Sequence, residues 1–143
     1  MGACYMKPPE VVLRELVEQW LRKADGDFEA AEHLLAASGR FREIIAFHCQ
    51  QAVEKYLKAL LVRHQIEFPK THDIGTLLGW VRTFDTPLAE SLRDADALTP
   101  FGVEVRYPGD APEMLPGGET DVFNVACRVK DAVQALLRPY LAE

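Results

Sequence analysis

The segment that most constrains the fold runs from Phe47 to Leu61 and reads "FHCQQAVEKYLKALL". In and just before it, apolar residues recur at steps of three and four, the period of an α-helix. The main set is Ile45, Cys49, Ala52, Tyr56 and Leu60, and it is flanked by Val53, Leu57 and Leu61. Such a wide apolar arc predicts a central helix, from about residue 40 to residue 64, that packs on more than one side.

A long helix is predicted on each side of this central one in the sequence. The first opens after Pro8-Pro9, where prolines followed by the acidic Glu10 are typical of a helix start, and it ends at Ser38-Gly39. The last begins near Glu119, and its predicted core face consists of Val122, Ala126, Val129, Val133, Leu136 and Tyr140. These segments have the same helical period.

The region between the central and last helices is broken into shorter pieces. Thr71 is predicted to cap one short helix, and Asp85-Thr86-Pro87 opens another that reaches about Leu98. A stretch rich in proline and glycine, residues 99–118, is predicted to be a long loop. No convincing alternating strand pattern is present. The prediction is therefore an all-α fold, an antiparallel up-and-down bundle of four to five helices.

Composition limits the range of functions. A chain of 143 residues is expected to form one domain, 1–143, with residues 1–9 as a flexible tail. No apolar run is long enough to span a membrane and no signal peptide is predicted, so a cytoplasmic protein without membrane association is expected. The three cysteines lack zinc-type spacing, and neither a metal site nor a cofactor is predicted. The net charge of −6 argues against a broad nucleic-acid surface but allows a local basic cleft.

Polar residues of the central segment form a line along the predicted helix. His48, Gln51, Lys55 and Lys58 follow one another at steps of three, four and three. One interpretation is a solvated face that includes an i,i+4 pair between Glu54 and Lys58. The other is a half-buried polar groove, in which lysine pairs with phosphate, glutamine binds a base or a backbone group, and histidine transfers a proton.

Several motifs together resemble the HEPN domain family of prokaryotes. The stretch "FHCQQAVEKYLKALLVRHQIEFPKTHDIGTLL" is similar to that family's helix and following KTHD turn, and "VRYPGD" at 105–110 is similar to its Arg-Tyr-Pro loop. The resemblance covers about 17–137. It implies a helical bundle that often forms a homodimer. It also implies a small nucleotidyltransferase partner in a toxin–antitoxin pair, and for many members a metal-independent ribonuclease activity with an Arg-x(4–6)-His motif.

The ribonuclease motif is not at its usual place in this chain. In the family this motif normally lies at the start of the last helix. In this chain Arg106 precedes that helix, and no histidine follows it in the sequence. Arg42 and His48 match the spacing at the entry to the central helix instead. These two are the candidate catalytic residues, arginine for the phosphorane charge and histidine for proton transfer. Whether the protein is an enzyme stays open on the sequence alone.

The sequence therefore leads to two hypotheses. The first is a HEPN-type nucleotide- or RNA-binding protein whose candidate ligand and phosphate-binding residues are Gln51, Lys55, Lys58, Lys70, His72, Arg106 and Tyr107. The second is an interaction module without catalysis, in which the polar line is a dimer or partner interface. The acidic net charge and the missing histidine after Arg106 favour the second.

Overall fold

The protein folds into an all-α bundle in the computed structural model, which describes residues 6–37, 39–102 and 113–143. No strand occurs in these ranges, which confirms the predicted fold class. The predicted site residues Arg106 and Tyr107 lie outside the described residues. The α-helices are α1 (Pro9–Ala37), α2 (Arg42–Arg63), α3 (Ile74–Arg82), α4 (Thr86–Ser91) and α5 (Gly118–Leu141), with 3₁₀ segments at Gly39–Phe41 and Arg93–Phe101.

Contacts between side chains give the directions of the three long helices. Lys58 near the end of α2 lies over the ring of Trp20 in α1, whereas His48 near its start contacts Asp27, so α1 and α2 are antiparallel. The start of α2 meets the start of α5, and Arg63 at its end lies 4.0 Å from the ring of Tyr140. Helices α2 and α5 therefore run in the same direction. The chain makes this possible by returning through α3, α4 and the second 3₁₀ segment.

Helix α2 is the centre of the core, as its wide apolar arc predicted. Helix α1 covers one side, α5 another, and α3 with the second 3₁₀ segment covers a third. All eight apolar residues assigned to its core are buried: Ile45, Cys49, Ala52, Val53, Tyr56, Leu57, Leu60 and Leu61. The arc is thus covered within one chain. It gives no independent reason to expect self-association, which stays a proposal.

The predicted helix boundaries and faces need three corrections. The cap of α3 is Asp73, whose carboxylate accepts from the backbone N–H of Thr76 at 3.0 Å, while Thr71 accepts from the N–H of Asp73. The helix predicted to reach Leu98 ends at Ser91 and gives way to the 3₁₀ segment, which also includes the first residues of the predicted loop. On α5, Leu137 is buried and Leu136 is 45% exposed.

Gly102 brings the end of the second 3₁₀ segment directly against α2. The residue is buried, and a Cβ atom placed there would lie 2.9 Å from the side-chain amide carbon of Gln50. This distance is shorter than a normal van der Waals contact, so any larger residue would have to displace the side-chain amide of Gln50. The polar side chain of Gln50 and the backbone that precedes residues 103–112 are therefore in direct contact.

Candidate functional site

The polar line on α2 divides into two clusters, each built around a carboxylate. The first involves α1, which places Asp27 against α2. Asp27 Oδ1 lies 2.9 Å from Nδ1 of His48, and its other oxygen accepts from the ammonium group of Lys55. The side chains of His48 and Lys55 are 27% and 21% exposed, and that of Asp27 is 14% exposed. This cluster is half-buried and remains open to solvent.

The second cluster lies deeper, around Glu54. One carboxylate oxygen of Glu54 is 2.8 Å from Nδ1 of His72, and the other is 3.2 Å from the ammonium of Lys58. Gln50 donates to the backbone carbonyl of His72 at 3.0 Å and to Glu54 at 3.4 Å, and Gln51 donates to Gln50 at 2.8 Å. These bonds attach the KTHD turn to α2.

Lys58 is a buried residue and not part of a solvated face. It is 6% exposed, and its ammonium lies 5.5 Å from the ring centre of Trp20 and 5.8 Å from that of Phe68. One of the two sequence interpretations placed its ion pair with Glu54 on a solvated face, as an i,i+4 pair. The pairing is present, but both partners are buried, because α1 and the segment after α2 cover this part of the helix. An external phosphate would have to displace Glu54 to reach Lys58.

Arg42 and His48 point to different helices. The Nε of Arg42 donates to Glu119 at 3.1 Å, next to the start of α5. Arg42 also lines a cleft of about 330 Å³ together with Glu43, Ile44 and Glu113. His48 instead contacts α1 through Asp27. Within one chain, the described residues therefore do not bring this arginine and this histidine to a common point.

One face of α2 is left open over the first half of the helix. We call it the exposed strip of α2, and it consists of Ile44, Phe47, His48, Gln51 and Lys55. Ile44 is 48% and Phe47 is 36% exposed, and the other three are partly buried. Steps of three and four residues keep all five within a narrow arc. Chemically, the strip combines an apolar patch, an aromatic ring, an imidazole, an amide and an ammonium.

The other predicted ligand residues that the structure describes, Lys70 and His72, lie on the turn before α3. Lys70 is exposed, and the side chain of His72 is 54% exposed although its Nδ1 is bound to Glu54. Three members of the two clusters were not among the predicted site residues: Asp27, Gln50 and Glu54. Glu54 has a signal in the sequence, since it lies four residues before Lys58. Asp27 has none, since only the packing of α1 against α2 pairs it with His48.

The described residues include no group of three His, Cys, Asp or Glu side chains that could hold a metal ion. Burial raises the pKa of the Cys49 thiol to about 12, so this cysteine is not a nucleophile near neutral pH. No helix within the described ranges is long and apolar enough to cross a membrane.

Comparisons with known proteins agree with the helical bundle. The family model described as "HEPN domain" matches residues 17–137. The crystal structure of an archaeal HEPN homologue is 30% identical in sequence to this chain and superposes on it with a TM-score of 0.64. The alignment covers 85% of this chain and 97% of the homologue. No curated protein matches the chain.

Proposed function

The chain belongs to the HEPN domain family, and from this premise we propose that it binds a nucleotide or a short single-stranded RNA along the exposed strip of α2. The observation that carries the proposal is the contact between Asp27 and His48 at 2.9 Å. It orients an imidazole on a face of α2 that is partly open to solvent, whereas α1, α5 and α3 cover other faces of this helix. A surface that served only to cover the core would not need this polar arrangement.

The groups of the strip fit the parts of a nucleotide. Phe47 offers a ring on which a base can stack, and the amide of Gln51 can bond a base edge or a sugar hydroxyl. Lys55 is the cation for a phosphate. Because Lys55 is shared with Asp27 and Lys58 is buried, the strip suits one or two phosphates rather than a long polyanion. The logarithm of the affinity should therefore fall with the logarithm of salt with a shallow slope, about −0.7 per phosphate contact.

A matched pair of aromatic substitutions tests this proposal. Phe47 in the strip is 36% exposed, and Trp80 on α3 is 38% exposed. Phe47→Ala should weaken binding of a fluorescent single-stranded RNA by about 1–3 kcal/mol, the contribution of one stacked base, while Trp80→Ala should leave it unchanged. Fluorescence anisotropy measures both. Equal affinities of the two variants, or no binding by the wild type, would reject the proposal.

Ribonuclease activity is a separate step, and it depends on His48. If the bound RNA is cut, His48 is the described strip residue suited to move a proton, and no metal is needed. His48→Gln should then abolish turnover while binding stays within about threefold. Arg42 contacts Glu119, so it would reach the strip only by leaving that partner or from a second copy. Arg42→Ala with unchanged turnover would remove Arg42 from the proposed catalytic pair.

The exposed apolar residues of the strip favour a second candidate function, an interaction module. Ile44 and Phe47 are neighbours on one helix face, and both are partly open to water. A twofold dimer would cover them with the same residues of another copy. Sedimentation of the wild type and of Ile44→Glu decides this. A species of twice 16.1 kDa in the wild type alone supports it, and a 16.1 kDa species in both rejects it.

A small nucleotidyltransferase remains the proposed protein partner, in a toxin–antitoxin-like pair. Membership of the HEPN family supports it. Co-expression with a nucleotidyltransferase from a neighbouring gene should give a complex that survives gel filtration. The exposed strip is the surface on which the partner and RNA would compete, so the complex should also bind less RNA. Two separate elution peaks would reject the partnership.

A further inference from the structure

Among the described residues, Asp27 is the carboxylate that contacts two members of the exposed strip. It lies on α1, between the ring of His48 and the ammonium of Lys55. Its side chain is 14% exposed, so water competes weakly for its oxygens. Each oxygen has its own partner, Oδ1 for the imidazole and Oδ2 for the ammonium. Both oxygens of the carboxylate thus contact a strip residue.

The contact with Asp27 determines where the neutral His48 ring carries its proton. An ionised carboxylate only accepts hydrogen bonds, so the nitrogen that faces it must be a donor. Nδ1 lies 2.9 Å from Asp27 Oδ1, so an ionised Asp27 favours the tautomer with its proton on Nδ1. The other nitrogen, Nε2, then carries the in-plane lone pair of the neutral ring. It is available as an acceptor or as a general base.

The same carboxylate also offsets the charge of Lys55. An incoming phosphate has to compete with Asp27 for this ammonium. Asp27→Asn removes the negative charge and keeps the shape of the side chain. It should therefore strengthen phosphate binding by Lys55, although it weakens the restraint on the His48 ring. These two effects have opposite signs, and simple damage to the fold would not produce them.

We propose that Asp27 is the positioning residue of the strip. It holds His48 with its proton on Nδ1, and it pairs with the ammonium of Lys55 until an anionic phosphate replaces Asp27 as the partner of that ammonium. The part that concerns Lys55 rests on the proposed function, since it needs a phosphate ligand. The part that concerns His48 does not, because the tautomer exists without a ligand.

The first experiment is ¹⁵N NMR of the imidazole rings at about pH 8, where an ordinary histidine is neutral. His48→Gln identifies the His48 signals among those of the four histidines. In the wild type, the protonated nitrogen should be Nδ1. In Asp27→Asn, the amide can either accept or donate, so the ring should become a mixture of both tautomers. Wild-type His48 with its proton mainly on Nε2 would overturn the proposal even if no ligand is ever found.

The second experiment measures AMP and short RNA binding by the same variants. Asp27→Asn should bind about two- to tenfold more tightly than the wild type at low salt, and the gain should disappear at high salt. The control is Asp25→Asn, because Asp25 also joins α1 to other helices, through Tyr56 and Gln134, but not to the strip. This control should bind like the wild type. Weaker binding by Asp27→Asn would refute the restraint of Lys55, and no binding by the wild type would instead refute the proposed function.

Discussion

Removing the ammonium of Lys58 should be one of the most destabilising single changes in this protein. Lys58→Met retains the apolar stem but leaves the carboxylate of Glu54, which is 3% exposed, without its cation. Breaking one side of a buried ion pair costs about 3–5 kcal/mol. Glu54 keeps its contacts with His72 and Gln50, so we expect a loss near the lower end, about 3 kcal/mol. A fully solvated Lys58 would give almost no change.

Urea unfolding followed by far-UV circular dichroism measures this loss, with Lys70→Met as the control. Lys70 is exposed and should change the free energy of unfolding by no more than about 0.5 kcal/mol. The double variant Glu54→Gln/Lys58→Met removes both charges and should recover to within about 1 kcal/mol of the wild type. A loss below about 1 kcal/mol for Lys58→Met would refute the reasoning. The reasoning would also be refuted if the double variant lost as much free energy of unfolding as Glu54→Gln and Lys58→Met lose together.

Three smaller predictions concern the rest of the fold. Asp73→Ala removes the cap of α3 and should lower the free energy of unfolding by about 1 kcal/mol, and an unchanged urea midpoint would contradict this. Gly102→Ala forces a methyl group against Gln50 and should cost about 1–3 kcal/mol, so wild-type stability would disprove the close approach. Partial desolvation of the ring, which stacks on Phe84, and then the charge of Arg63 lower the pKa of His64 in the folded state. The unfolded chain therefore binds more protons at this residue, and the free energy of unfolding should fall as pH drops below 6.5. This fall should be smaller in His64→Asn, and an equal fall in the wild type and the variant would contradict the prediction.

The helices and most of the core could be predicted from the sequence, because burial of a helix follows its apolar period. All eight core residues assigned to α2 are buried. Family membership could also be inferred, from specific motifs within a resemblance that spans about residues 17–137. The errors lie at helix ends and edges. Thr71 and Asp73 are both residue types that cap helices well. In the structure Asp73 caps α3, because the hydroxyl of Thr71 instead accepts from the backbone N–H of Asp73.

Only the tertiary structure decided what the polar line on α2 is. Helical spacing places His48, Gln51, Lys55 and Lys58 on one side of a helix, but it contains no information about what covers each position. Helix α1 supplies Asp27 to the first part of the line, and the turn before α3 covers the second part with His72 and Phe68. As a result, Lys55 stays partly exposed and Lys58 is buried.

The physical reason is the distance along the chain between the partners. Asp27 is 21 residues from His48 and 28 from Lys55, and His72 is 18 from Glu54. Local propensity acts over a few residues, so it can form each helix but cannot choose its partners. Packing of apolar faces brings the helices together and, as a consequence, determines which charges meet. The sequence by itself determined a helical bundle with a polar line, and the packing of α1 and the KTHD turn against α2 decided which part of that line stays open to a ligand.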